Sequence, residues 1–183
     1  QGNTVSGNGL SGDEVAGIRL FGDGSTVTLN VIEGNVGDGV LVVGEAQQIG
    51  TSAATNNRIT RNRFVANGQQ AIDLGVLDGD RIHGDGIDSI DGLDATSGNR
   101  GIDRIDLAVV LQSDNTVQLG FDAASLSVGS TIELYAAAPE DPSDVQGGVS
   151  FGEGADYIGQ FFWDGTTATA TDVSGYTVRA DDG

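Results

Sequence analysis

The residues able to do chemistry fall in three places along this chain. Between Asp78 and Asp106 the run "DGDRIHGDGIDSIDGLDATSGNRGIDRID" sets an aspartate every few residues among glycines. Carboxylates on tight turns can converge their oxygens on one hard cation, and calcium is the cation such a donor set suits. Asp85, Asp88, Asp91 and Asp94 are the candidate ligands. A solvated acidic connector is the plain alternative, and spacing does not choose between the two. The EF-hand pattern with its closing Glu is absent. The second place is the basic cluster Arg58, Arg61 and Arg63. Its guanidinium forks either balance nearby aspartates or grip the carboxylates of an acidic glycan or a neighbouring subunit. The third is Phe161, Phe162 and Trp163, a sugar-stacking platform in outline, although strand alternation sends at least one ring into a core.

Catalysis asks for more than these provide. A lyase or epimerase needs a base, a proton donor and charge neutralisation beside a uronate, and a hydrolase needs two separated carboxyls. In the related strands "GIRL", "GVLV" and "AIDL" the outward positions are Arg19, Leu41 and Asp73, which make neither set. Asp78 and Asp80 lie close together in a turn, a placement suited to a cation or to water. His83 is the sole histidine and reads as an exposed loop residue, with no nucleophile pattern near it. Phosphate loops, zinc spacings and nucleic-acid motifs do not occur. No enzyme is expected within this chain.

Those residues need a scaffold, and composition bounds it. In 183 residues there are 30 glycines and few aromatics, so short strands joined by many turns are expected and helix is scarce. The 27 acidic residues, 21 of them Asp, face eight basic ones, all arginine. A formal charge of −19 repels nucleic acid and anionic membrane surfaces and draws in cations. Without cysteine there is neither a disulfide nor a thiolate metal site. No apolar run approaches the roughly 18 residues of a membrane span. The chain opens on "QGNTVSGNG" and stops at "RADDG", which reads as an internal piece of something longer.

The N-terminal region repeats. Val5, Asn8, Leu10, Gly17, Ile18, Leu20 and Gly22 align with Val27, Asn30, Ile32, Gly39, Val40, Val42 and Gly44 at a shift of 22. A third copy, Ile59, Asn62, Phe64, Ala71, Ile72, Leu74 and Gly75, follows at a shift of 32 for all but its last glycine. The excess is the polar insertion Glu45 to Asn56, a loop on one side of a regular stack. Apolar residues alternate with the strand period of two. Asparagines 8, 30 and 62 recur at the corners, where Asn tolerates left-handed backbone and its amide can bond up and down a stack. Three short strands per turn, with Ile59, Phe64, Ile72 and Leu74 inside the last one, describe a parallel β-helix of about three coils, about 4.8 Å apart.

The pattern N-x-[VI]-x-x-N-x-[LIF] followed by G-I-x-[LV]-x-G resembles the right-handed parallel β-helix repeats of pectate lyase-like proteins and of large secreted bacterial surface proteins. The resemblance covers residues 1–77. It implies a fold more than a function, because that scaffold carries lyases, hydrolases, epimerases, adhesins and passive stalks. Residues 78–104 resemble the segment that leads from the last coil into a β-sandwich in such proteins. Asp73, Leu74, Gly75, Asp94, Gly98, Asn99 and Gly101 match, and Thr96 stands where an acid is usual.

In residues 105–183, "IDLAVVLQ", "NTVQLGFD", "STIELYAA", "ADYIGQFFW", "TTATATDV" and "GYTVRA" read as strands bounded by turn residues. Their spacing indicates an antiparallel sandwich. "TIELYAA" and "GEGADYIGQF" resemble the Ig-like modules that follow β-helices in secreted bacterial proteins. The whole reads as an all-β structural or adhesive segment of a secreted or cell-surface protein. It would assemble into a filament or surface layer by self-association through an exposed coil end, or pack against neighbouring domains of the same long chain, with acidic polysaccharide as a further partner. The alternatives are the non-catalytic end of a polysaccharide-active enzyme and a carbohydrate-binding module.

Overall fold

The computed structural model describes residues 1–9, 16–44, 54–78, 81–83, 106–111, 116–122, 128–137, 145–146, 149–150, 153–162 and 168–172. All regular structure among them is strand. None of them forms a helix long and apolar enough to cross a membrane.

The N-terminal half stacks three layers. Layer 1 holds β1 (Thr4–Ser6) and β2 (Ile18–Leu20). Layer 2 holds β3 (Thr26–Thr28), β4 (Val31–Glu33) and β5 (Val40–Val43). Layer 3 holds β6 (Arg58–Thr60), β7 (Arg63–Val65) and β8 (Ile72–Asp78). Strands of successive layers pair in parallel, giving the columns β1-β4-β7, β2-β5-β8 and β3-β6. Val27, Ile32, Val40, Val42, Ala54 and Phe64 fill the space between columns, with Val5, Ile18, Leu20, Ile59, Ala71 and Leu74 packed against them. Each fully buried branched or aromatic side chain there contributes roughly 1.5–3 kcal/mol.

Between layers 2 and 3 the expected shift of 32 holds in every column: Val27 opposes Ile59, Ile32 opposes Phe64 and Val40 opposes Ile72. Between layers 1 and 2 the expected 22 holds only for Ile18 opposite Val40. In the other column Val5 opposes Ile32, not Val27, a shift of 27. The slip has a physical cause. Layer 2 carries two consecutive five-residue units of similar pattern, "TVTLN" and "VIEGN", so the first layer's "TVSGN" suits either by composition. Polar pairing decides between them, because only the shift of 27 places an asparagine above an asparagine at both of its ends.

Asn8, Asn30 and Asn62 therefore do not form one stack. Two columns run through the layers, Asn3-Asn30-Asn62 and Asn8-Asn35-Asn67. In each step the upper residue donates to the Oδ1 of the asparagine below. The Asn30 backbone N–H and Nδ2 both reach Asn62 Oδ1 at 3.0 Å. Asn35 reaches Asn67 Oδ1 at 3.3 Å from its backbone N–H and 2.7 Å from Nδ2. Ser25 to Asn57, at 2.8 Å, starts a third corner of the same kind.

The left-handed backbone expected of these asparagines belongs instead to the residue before each one. Gly2, Leu29 and Arg61 precede the first column with φ of 70°, 56° and 53°, and Gly7, Gly34 and Ala66 precede the second with 64°, 60° and 53°. That preceding residue makes the turn, and the asparagine then points its amide inward to pair with the next layer. Gly39, at the entry to β5, meets a different constraint. A Cβ there would lie 2.6 Å from the Ala71 carbonyl oxygen and 2.7 Å from Phe64 Cδ1.

Beyond the layers, β8 folds back on β9 (Arg81–His83) in an antiparallel pair with Val76 opposite His83. His83, expected in a loop, is thus a strand residue, and regular structure continues into the start of the acidic stretch. Farther along, β10 (Asp106–Leu111), β11 (Thr116–Asp122) and β16 (Ala168–Asp172) form one antiparallel sheet. A second antiparallel pair joins β12 (Thr131–Ala137) to β15 (Gly154–Phe162), and a short one joins β13 (Val145–Gln146) to β14 (Val149–Ser150).

Candidate functional site

The β12–β15 pair closes the open face of layer 3. At the corners of the upper layers, N–H groups of the turn residue and of the asparagine after it go to the layer beneath. Gly2, for example, donates its N–H to the Leu29 carbonyl of layer 2 at 2.9 Å. Arg61 holds the same corner in layer 3, beneath which no fourth layer lies among the described residues. Its N–H goes to Glu133 Oε2 at 3.0 Å and to the Tyr135 hydroxyl oxygen at 2.8 Å. The Thr60 hydroxyl donates to Glu133 Oε1.

The second corner ends in the same way. Asn67 donates its backbone N–H to Glu153 Oε2 at 3.1 Å and its Nδ2 to Glu153 Oε1 at 2.6 Å. Those are the two donors that Asn35 presents to Asn67 one layer above. Glu153 thus stands where a fourth ladder asparagine would stand, and a carboxylate suits the place because it accepts through both oxygens and has no donor to misplace. It is 5% exposed and Asn67 3%, so loss of either partner would leave buried polar groups unpaired.

Strand alternation explains how β12 delivers its pair. Glu133 and Tyr135, two residues apart, project from one face, and the Tyr135 hydroxyl donates to Glu133 Oε2 at 2.5 Å. Opposite them on β15 stand Gln160 and Tyr157. Arg61 Nη2 donates to Gln160 Oε1 at 3.1 Å, and its guanidinium lies 5.4 Å from the centre of the Tyr157 ring. Tyr135 and Tyr157 meet edge to face at 5.6 Å. Burial alone would raise the Glu133 pKa. The hydrogen bonds from Thr60, Tyr135 and the Arg61 backbone, with the Arg61 charge, outweigh burial and hold it below the ordinary carboxylate value. Burial, then the neighbouring Glu133 carboxylate, pushes the Tyr135 hydroxyl well above its usual range.

Under layer 3 this leaves a cavity of about 550 Å³ lined by Ile59, Phe64, Ala71, Ile72 and Tyr135, with Arg58, Thr60, Thr131 and Glu133 among its polar residues. Ile72, expected inside, is 38% exposed, whereas its register mate Val40 is fully buried with a layer on each side.

Of the basic cluster, Arg61 is engaged by the cap. Arg63 lies 3.8 Å from Glu33 in an exposed ion pair, and Arg58 lines the cavity. Arg19, Leu41 and Asp73 do align across their sheet. Arg19 is exposed, but the outward position is covered in the next two layers, where Leu41 is fully buried and Asp73 is 3% exposed. Asp85, Asp88, Asp91, Asp94 and Trp163 lie outside the described residues. Among the described residues no three His, Cys, Asp or Glu side chains group to hold a metal.

Glu133, Tyr135 and Glu153 were not legible as site residues, because their partners lie 72 to 86 positions away. The available signal was indirect: "TIELYAA" and "GEGADYIGQF" are the two segments that pair with each other here. Comparison of the chain with protein-family models, curated proteins and solved structures finds no match.

Proposed function

We propose that this chain is a structural or adhesive segment of a secreted or cell-surface protein. In this reading the layers are the final coils of a right-handed parallel β-helix, and an acidic segment joins them to an antiparallel Ig-like β-sandwich. The observation that carries the reading is the carboxylate-terminated ladder. Two asparagine columns cross three layers; the second ends on Glu153, and the corner beside the first ends on Glu133 through Thr60 and Arg61, which supports a stack built to persist and to stop at a chosen place. Stacks need such an end, since an open layer is an edge available to any strand.

The high negative charge supports an environment rich in cations, with Asp85, Asp88, Asp91 and Asp94 as the calcium ligands of the connector. The open first layer is covered by neighbouring parts of the same long protein or by another subunit. Antibody raised against the chain and applied to intact cells of its source tests the reading. Surface labelling without permeabilisation is expected, and labelling only after permeabilisation overturns it.

A further inference from the structure

The cavity between layer 3 and the β12–β15 pair has a lining that the stack itself does not require. It crosses all three columns, from Arg58 and Ile59 on β6, past Phe64 on β7, to Ile72 on β8 with Ala71 beside it. Its volume of about 550 Å³ falls within the roughly 300–1,000 Å³ of small-molecule sites. Apolar side chains make the floor, while the exposed Arg58 and Thr131 mark the mouth. Gly154 helps to keep the space open. A Cβ there would lie 3.0 Å from Tyr135 Cγ, so the ring lies back against β15 only because residue 154 carries none.

The two charges in the lining are placed differently. Glu133 is its one carboxylate among the described residues, and both of its oxygens are occupied. Oε1 accepts from the Thr60 hydroxyl, and Oε2 accepts from the Arg61 N–H and the Tyr135 hydroxyl. The Arg58 guanidinium, by contrast, makes neither a hydrogen bond nor an ion pair among the described residues. Arg61 is held by Gln160 and Tyr157, and Arg63 by Glu33. In a chain of 27 acidic residues and eight arginines, a guanidinium without a carboxylate is not what charge balance alone would give. Its planar fork of N–H donors fits a carboxylate, and the cavity beside it fits what that carboxylate is attached to.

We propose that this cavity is a binding site for a small amphipathic anion, an unbranched aliphatic monocarboxylate. The carboxylate pairs with Arg58 at the mouth, and the hydrocarbon chain lies along Ile59, Phe64 and Ile72. An elongated body suits the place because the lining runs from one column to the next. A sugar suits it less, since hydroxyl groups over an apolar floor would leave water without gaining partners. Burial of the chain supplies affinity, and Arg58 supplies the choice of head group.

The test is titration of the unaltered chain with octanoate, octanol and octylammonium, followed by methyl NMR and by calorimetry. Octanoate should shift the methyl signals of Ile59, Ala71 and Ile72 and leave those of Val5 and Ile18, in layer 1, in place. It should bind about tenfold more tightly than octanol, the margin of a charge-assisted hydrogen bond. Arg58→Gln, at an exposed position, should bring the two alcohol and carboxylate affinities within about twofold of each other. Arg63→Gln makes the same change of net charge on the neighbouring strand and should keep the margin. Thr131→Trp puts a bulky ring at the mouth from the cap strand and should weaken both probes.

Unmoved Ile59, Ala71 and Ile72 signals at millimolar octanoate overturn the proposal, and so does equal binding of octanoate and octanol. Tightest binding of octylammonium overturns it too, by making Glu133 the selecting charge. A margin lost equally in Arg63→Gln shows that net charge chooses the head group, and unchanged binding in Thr131→Trp places the probe elsewhere; either result removes the site. The methyl shifts are read on the unaltered chain, so they decide the matter even where Thr131→Trp does not fold.

Discussion

At the first layer Asn3 and Asn8 are exposed and have a ladder partner only below, whereas at the third layer Asn67 is buried beneath Glu153. The residue type and the local backbone are the same at both ends. What differs is whether anything covers them, so a ladder asparagine is worth what its surroundings cost when it is removed. In the middle of a column, loss breaks a buried bond to the layer below and part-buried bonds to the layer above; at an open end, water takes over.

The largest expected effect comes from breaking the column at its centre. Asn35→Ala removes the acceptor of Asn8 and the Nδ2 donor to Asn67 and to the Val5 carbonyl, the bond to Asn67 being buried and the others part-buried. It should cost about 3 kcal/mol in chemical unfolding, whereas Asn8→Ala should cost less than about 1 kcal/mol. Equal losses would mean that the ends are as enclosed as the middle. Next, Gly39→Ala forces a methyl group against the Ala71 carbonyl and the Phe64 ring, and a loss of about 2 kcal/mol is expected. Ala71, the corresponding residue of layer 3, already carries a methyl group, so Ala71→Gly should change stability by less than about 1 kcal/mol.

The cap sharpens the comparison through pH. Glu133 has a folded pKa below its ordinary value, so its contribution is complete above the unfolded carboxylate pKa and disappears as pH falls through the lower folded value. Tyr135 is raised, so its contribution is complete below about pH 10 and fades as pH climbs further. Thermal unfolding midpoints of the native chain should fall on both sides of this plateau. In Glu133→Gln the acid limb should be shallower, and an unchanged acid limb would detach Glu133 from the cap.

The smallest effect concerns the corners. Ala66 takes the left-handed backbone that Gly7 and Gly34 take in the layers above. Ala66→Gly should therefore raise stability by about 0.5 kcal/mol, the relief of strain exceeding the entropy cost, and Gly34→Ala should lower it by about 1 kcal/mol. A destabilised Ala66→Gly would show that the methyl group contributes packing that outweighs its backbone strain.

Much of the N-terminal half was readable because its physics is local and repeated. Alternating Val, Ile and Leu specify strands, recurring asparagines such as Asn8, Asn30 and Asn62 mark corners, and a shift of 32 aligns layers 2 and 3 whichever column is examined. The first register was not readable, since "TVTLN" and "VIEGN" are interchangeable to a pattern of apolar and polar residues. Only the pairing of Asn3 with Asn30 and Asn8 with Asn35 separates a shift of 27 from one of 22. The exposure of the outward face was likewise misjudged, because alternation tells which way Leu41 and Asp73 point and says nothing of what lies over them.

By itself, then, the sequence determined an all-β chain with a repeating N-terminal half, asparagine corners, a strongly negative field and no thiol chemistry. These follow from residue type and short-range spacing, which the chain carries wherever it goes. The tertiary structure alone decided the register of the first layer, and made Arg61 an anchor of the cap. It also chose Glu133, Tyr135 and Glu153, three ordinary strand or turn residues, to end the stack. The reason is the same each time. A hydrogen-bond donor left over at the end of a stack must be matched in space, and the residue that matches it need not be near in sequence.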